Sequence, residues 1–240
     1  MKVLMIFMHG SGGDGRELST YFDIYPLMFE KTLQTFREHA KSHDIDIVTP
    51  SAPSRPYSPA LGACMNVWYD RSPTFPACGM DDIDDTVGIN AVWKNIAKYM
   101  TESEFDYFII GGHSMGGGMA LNCLQHLSTL PSTKKVIGIF SMGSFLCNSS
   151  SVLKSVLPEC PVLMMHGTAD PLIRLEWGRA TASNLLLKDI PIQFKEYDDV
   201  EHTIDEEMLS DLLYWSLDII YSYKKSIGVD VLAEFQEMKV

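Results

Sequence analysis

Six short apolar runs, separated by longer amphipathic stretches, set the tightest limit on what this chain can fold into. They are Val3–Met8, Ile45–Thr49, Tyr107–Gly111, Val136–Ser141, Val162–His166 and Ile192–Tyr197. Most are apolar almost throughout, the pattern of strands whose two faces are both covered. Between them, amphipathic periodicity predicts helices over Pro26–Lys41, Asp82–Met100, Met115–Ser128, Leu175–Lys188 and Ile204–Lys225. In the last of these, Met208, Leu212, Trp215 and Ile219 form one apolar face. Alternation of this kind implies an α/β fold: a mostly parallel central sheet with helices on both faces. A length of 240 residues suits one domain, expected over 1–226, with a C-terminal tail over 227–240.

The remaining composition narrows the function classes. A net charge of -12 does not favour nucleic acid or anionic membranes, which need a positive footprint. No apolar stretch approaches the ~20 residues of a membrane span. The opening "MKVLMIFMHG" has too short an apolar run for a signal peptide and lacks its cleavage site, so a strand entering a Gly-rich loop is expected. The five cysteines, Cys64, Cys78, Cys123, Cys147 and Cys160, have irregular spacing and no CxxC. Reduced thiols in a cytoplasmic protein are the default reading, with a Cys64–Cys78 bridge left open. Residues 51–80 are rich in proline and aromatics, which suggests a long ordered loop near a binding site.

The chemistry concentrates at "GGHSMGGGMA", residues 111–120. The G-x-S-x-G pattern alone is common enough by composition to be accidental. Its context is more specific. Tyr107–Gly111 supplies a strand before Ser114 and Met115 begins a helix after it, as a nucleophile elbow requires, with Gly112 and Gly116 relieving the crowding. A serine hydroxyl needs a base to take its proton, usually a histidine oriented by a carboxylate. The fold predicts the order Ser, acid, His, on loops beyond successive strands. Asp170 lies in "HGTADPLI" after one strand, and His202 in "DDVEHTI" after the next. Asp198, Asp199 and Glu201 crowd His202 and stay open as alternative orienters.

Two backbone N–H groups are needed for an oxyanion hole. Met115 follows the nucleophile, and Ser11 sits in "HGSGGDG" after the first strand. Neither GxGxxG nor a P-loop pattern is present, so the Gly-rich loop does not read as a phosphate cradle. His39, His43 and His126 fall on predicted helices and read as surface residues. His9 and His166 each precede a glycine at a strand end, where tying loops together is the expected task. His113 neighbours Ser114 but is poorly placed to turn back to its hydroxyl. These histidines lack metal-ligand spacing, and the chemistry requires no metal and no cofactor.

Taken together, "FMHGSGGDG", "PSAPSRPYSP", "NVWYD", "GGHSMGGGMA", "HGTADPLI" and "EHTI" resemble the acyl-protein thioesterase and lysophospholipase family in order and spacing. "NVWYDR" and "HGTAD" look closest to its lysophospholipase-like protein 1 branch. The resemblance implies an α/β-hydrolase with no sizeable cap domain. It implies cleavage of acyl thioesters or oxygen esters, with S-acylated proteins or lysophospholipids among the substrates, and with Ser114, Asp170 and His202 as triad and Ser11 and Met115 as oxyanion donors. It also suggests Trp68, Phe145 and Leu172 along the acyl site. A short-chain carboxylesterase with a shallow pocket is the nearest alternative, and a non-catalytic relative that binds a ligand or protein is the next. The chain departs from the family at Met115, where thioesterase relatives often have Gln. Many relatives also carry a longer N-terminus, so the first strand is expected to lack an edge partner. Oligomeric state is not legible in the sequence.

Overall fold

The computed structural model describes residues 1–24, 26–29, 32–80, 85–146 and 152–229. The chain runs β1 (Val3–Met8), α1 (Gly15–Ile24), a hairpin of β2 (Pro26–Phe29) and β3 (Thr32–Thr35), α2 (Phe36–Ser42), and β4 (Ile45–Val48). A second hairpin follows, β5 (Ser54–Pro56) with β6 (Cys64–Asn66), and then α3 (Thr86–Glu102). The rest alternates: β7 (Tyr107–His113), α4 (Met115–Cys123), β8 (Lys135–Met142), β9 (Val162–Gly167), α5 (Leu175–Leu186), β10 (Ile192–Tyr197) and α6 (Glu206–Ser226). Six strands form one sheet in the order β10-β9-β8-β7-β1-β4, and every neighbouring pair is parallel.

The alternation along each strand explains the two-faced core. Leu4, Ile6 and Met8 of β1 join Phe108 and Ile110 of β7 in a cluster with residues of α3, α4 and α5. Val3, Met5 and Phe7 join Ile109 and Phe140 on the other face, under α1, α2 and α6. The α6 residues Met208, Leu212, Trp215 and Ile219 are buried there, as their spacing predicts. A strand with side chains of both parities in apolar cores has no polar face to present to water.

The six predicted strands are present, with ends within two residues of those expected. The predicted helix over Pro26–Lys41 is not. The β2–β3 hairpin occupies its first part, and the helix starts only at Phe36. The reason is local: Thr35 is extended (φ -68, ψ 157) and forms a capping box with Glu38, which fixes the helix start. Helix α1, which the predicted helices do not include, buries Gly15, Leu18 and Phe22. The helix expected over Met115–Ser128 ends at Cys123 and tightens into a 3₁₀ turn over Leu124–Thr129. The start expected for α3, at Asp82, lies outside the described residues, as does Cys147. Cys64 and Cys78 are not joined by a disulfide.

The first strand is not an edge. β1 lies between β4 and β7, and both pair with it along their length. The chain leaves β1 toward β4 on one side and returns to β7 on the other. Such a reversal of strand order opens a crevice at the carboxyl ends of the two strands, where ligands bind in open α/β sheets. The loops after β1 and β7 are the two that carry Ser11 and Ser114.

Candidate active site

Ser114 is the turn between β7 and α4. Its backbone is left-handed (φ 54, ψ -121), a costly conformation for a residue with a side chain. Its N–H donates to the Met142 carbonyl at 2.8 Å, anchoring the turn to β8. Gly112 and Gly116 are required because the Met8 carbonyl of β1 occupies the space where their Cβ atoms would stand. The serine is thus pressed between three adjacent strands and the first turn of α4, whose free N–H groups favour negative charge nearby.

Asp170 and His202 meet across the ends of β9 and β10. His202 Nδ1 lies 2.6 Å from Asp170 Oδ2, and Asp170 Oδ1 accepts from the Leu172 and Ile173 amides at 2.9 and 2.8 Å. Asp198, Asp199 and Glu201 do not orient the ring; Asp170 does. Burial pushes the Asp170 carboxyl up, but the bonds from His202, Ile173 and Leu172 outweigh it and hold it below the usual carboxylate range. The carboxylate is therefore charged at neutral pH. Donating from Nδ1–H to the carboxylate leaves His202 Nε2 as the basic nitrogen.

Among the described residues no hydrogen bond joins Ser114 Oγ to His202. His113 bridges the gap between them: its ring packs 4.7 Å from the His202 ring, centroid to centroid, while Ser114 is its chain neighbour. Such serine–histidine contacts often close only when substrate is bound. Gly143 lies against this group of side chains. It is left-handed (φ 51), and a Cβ there would lie 3.4 Å from both Asp170 Oδ2 and His202 Nδ1 and 3.5 Å from His113 Nε2. Burial pushes the His113 imidazole down to about 3, so it stays neutral beside His202.

The loop after β1 is held from the 51–69 segment. His9 Nε2 accepts from the Ala52 amide at 2.9 Å, so Nδ1 carries the proton it donates to the Gly10 carbonyl at 2.6 Å. Burial lowers the His9 proton affinity, consistent with that neutral form. The Trp68 indole donates to the His9 carbonyl at 2.8 Å, Gly12 donates to the Asn66 carbonyl, and the Asn66 side chain donates to the Gly13 carbonyl. These ties hold Gly10 against the nucleophile: a Cβ at Gly10 would lie 3.2 Å from Ser114 Cβ. Among the described residues no protein acceptor engages the Ser11 or Met115 amide.

The three residues expected along the acyl site separate. Trp68 is 3% exposed and Phe145 is fully buried, while Leu172 is 37% exposed beside Asp170. Phe145 stacks with Phe75 and packs edge-on to Trp177. Buried Arg71, which sequence reasoning passes over, lies over the Phe75 and Phe145 rings at 4.2 and 5.1 Å and donates to the Tyr69 hydroxyl. That hydroxyl sits where a Gly118 Cβ would be, which is why α4 tolerates only glycine there. His126 is half-buried and stacks on Trp93, and His39 and His43 are half-buried against each other, so none of the three is a plain surface residue. Among the described residues no cluster of three or more His, Cys, Asp or Glu side chains is arranged to hold a metal ion.

Comparison with known proteins gives the family and the fold. The model of the Phospholipase/Carboxylesterase family matches residues 1–215. Lysophospholipase-like protein 1 of Mus musculus is 30% identical over 224 residues, spanning 89% of this chain and 85% of that protein. Acyl-protein thioesterase 1 of Gibberella zeae is 27% identical over 221 residues, spanning 87% of this chain and 86% of its own length. Among solved structures, acyl-protein thioesterase 2 of Zea mays superposes with a TM-score of 0.73 at 21% identity, covering 91% of this chain and 94% of its own. At that identity the likeness speaks for the fold.

Proposed function

The chain belongs to the phospholipase/carboxylesterase family of α/β-hydrolases, and from that premise we propose that it cleaves acyl thioesters or oxygen esters through Ser114, His202 and Asp170. Ser114 Oγ attacks the carbonyl carbon while His202 Nε2 takes its proton. Asp170 keeps the imidazole in the tautomer that can do so and stabilises the imidazolium that forms. The Ser11 and Met115 amides receive the oxyanion, each donor contributing about 3 kcal/mol to the transition state. His202 then protonates the departing thiolate or alkoxide, and water activated by the same nitrogen releases the acid. The observation that carries this reading is the 2.6 Å Asp170–His202 pair beside a strained serine turn.

S-acylated proteins and lysophospholipids are the substrate classes named by its relatives, and the reading extends to both. Cys64, Cys78, Cys123 and Cys160 form no disulfide with one another, which suits a reducing compartment, so the cytoplasm is the proposed location. Ser114→Ala is expected to lower hydrolysis of p-nitrophenyl esters by roughly 10⁶-fold and to abolish fluorophosphonate labelling. An alanine variant that keeps its rate would overturn the assignment.

The burial of Trp68 and Phe145 favours a second reading, a short-chain carboxylesterase. Side chains without open surface offer no wall to a long acyl chain unless they move. Rates across a C2 to C16 ester and thioester series decide between the two: a steep fall beyond C4 selects the short-chain reading, and a rise toward C16 rejects it.

A further inference from the structure

We propose that His166 is a positioning residue for Asp170, acting through an Nε2–H donated to the carbonyl of Ile173, the residue whose own N–H holds the Asp170 carboxylate. This rests on Asp170 being the acid of the site, as proposed above. His166 stands near the end of β9 with no solvent exposure. Its Nε2 lies 2.9 Å from the Ile173 carbonyl oxygen. A carbonyl only accepts, so the proton is on Nε2. The same nitrogen lies 3.6 Å from Asp170 Oδ2. Ile173 meanwhile donates its own N–H to Asp170 Oδ1. His166 therefore holds Ile173 and Ile173 holds Asp170, a relay that fixes the loop after β9 with Oδ2 toward His202.

The other nitrogen argues that the residue is not there for packing. Nδ1 is buried with no hydrogen-bond partner among the described residues. It faces α5 at Gly178, where a Cβ would come within 2.7 Å of it. A buried acceptor left unpaired destabilises relative to an apolar ring of the same shape. The return is at Nε2. The groups facing this imidazole are Asp170, His202, Glu196 of β10 and, across the carboxylate, His113. Burial keeps His166 neutral despite the two carboxylates. A neutral His166 braces Asp170 without cancelling its charge, which stays available to the imidazolium of His202.

The test pairs two polar variants with a measurement on the unaltered protein. The amide nitrogen of His166→Gln reaches the place of Nε2, while that of His166→Asn falls short. We expect the Gln variant to retain most of the wild-type kcat, and the Asn variant to lose roughly 10- to 100-fold in kcat at nearly constant KM. With the Nε2–H dipole 3.6 Å from Asp170 Oδ2 gone, the carboxylate charge acts more fully on His202, so the acid limb of the Asn variant's kcat/KM profile moves to higher pH. Equal activity in the two variants, or equal losses with an unmoved limb, overturns the proposal. Histidine-selective ¹⁵N NMR of the wild-type protein is expected to show His166 as the neutral Nε2–H tautomer from pH 5 to 8; the Nδ1–H form overturns it whether or not either variant folds. Fluorophosphonate labelling of wild-type Ser114 tests the underlying reading separately, since its failure leaves the tautomer result intact.

Discussion

At Gly116 a single methyl group would collide with backbone rather than with a movable side chain. The Met8 carbonyl lies where the Cβ would go, and it is itself part of the β1 ladder. Gly116→Ala is therefore expected to lower stability by about 3 kcal/mol, near the top of the overpacking range. A urea melt measures it, and a change below about 0.5 kcal/mol, the size of an ordinary surface substitution, would count against the close approach of α4 to β1. Residues of this kind were legible in the sequence because chemistry and backbone geometry demand them at fixed offsets. Ser114, Asp170 and His202 were legible for the same reason, standing in order beyond successive strands. His113 and Arg71 were not, and His166 was legible only as a residue that ties loops together. Their roles depend on burial and ring orientation, which packing decides and spacing does not report.

Between residue and fold stands the long 51–80 segment, and one aspartate fastens it. Asp85 Oδ1 caps α3 at the Gly88 amide, and its Oδ2 accepts from the Asp70 amide at 2.7 Å. The Arg55 guanidinium lies 2.9 Å from the same Oδ2, with both side chains partly shielded. Asp85→Ala removes cap, tie and ion pair together and is expected to cost about 2 kcal/mol. Limited proteolysis supplies the second readout: cleavage within 54–80 should quicken, and unchanged cleavage would mean the segment is held elsewhere. Strands were the elements read most faithfully, because an apolar run buried on both sides leaves little ambiguity. The stretch 26–35 misled because its apolar spacing fits a helix, whereas the capping box at Thr35 and Glu38 starts the helix after it.

For the molecule as a whole, three buried imidazoles set the acid side of the stability curve. His9, His113 and His166 all have proton affinities lowered by burial, His113 to about 3. Below about pH 6.5 the unfolded chain binds protons that the folded one refuses, so stability falls as pH falls. Each histidine contributes up to about 1.4 kcal/mol per pH unit between 6.5 and its folded value. Asp170, with its carboxyl held low, adds to the same trend below pH 4. Melting temperature should drop steadily from pH 7 to 5, and less steeply in His113→Phe; a flat profile over that range would contradict the neutral, buried state of these rings. The parallel sheet has a kinetic consequence as well. Val3 pairs with Tyr107 on one side and Ile45 on the other, so β1 lacks one of its neighbours until β7 has been made. His202 follows the last strand to join. During synthesis, ester cleavage should therefore switch on only after the final strand has docked, which makes the onset of activity a clock for the end of folding.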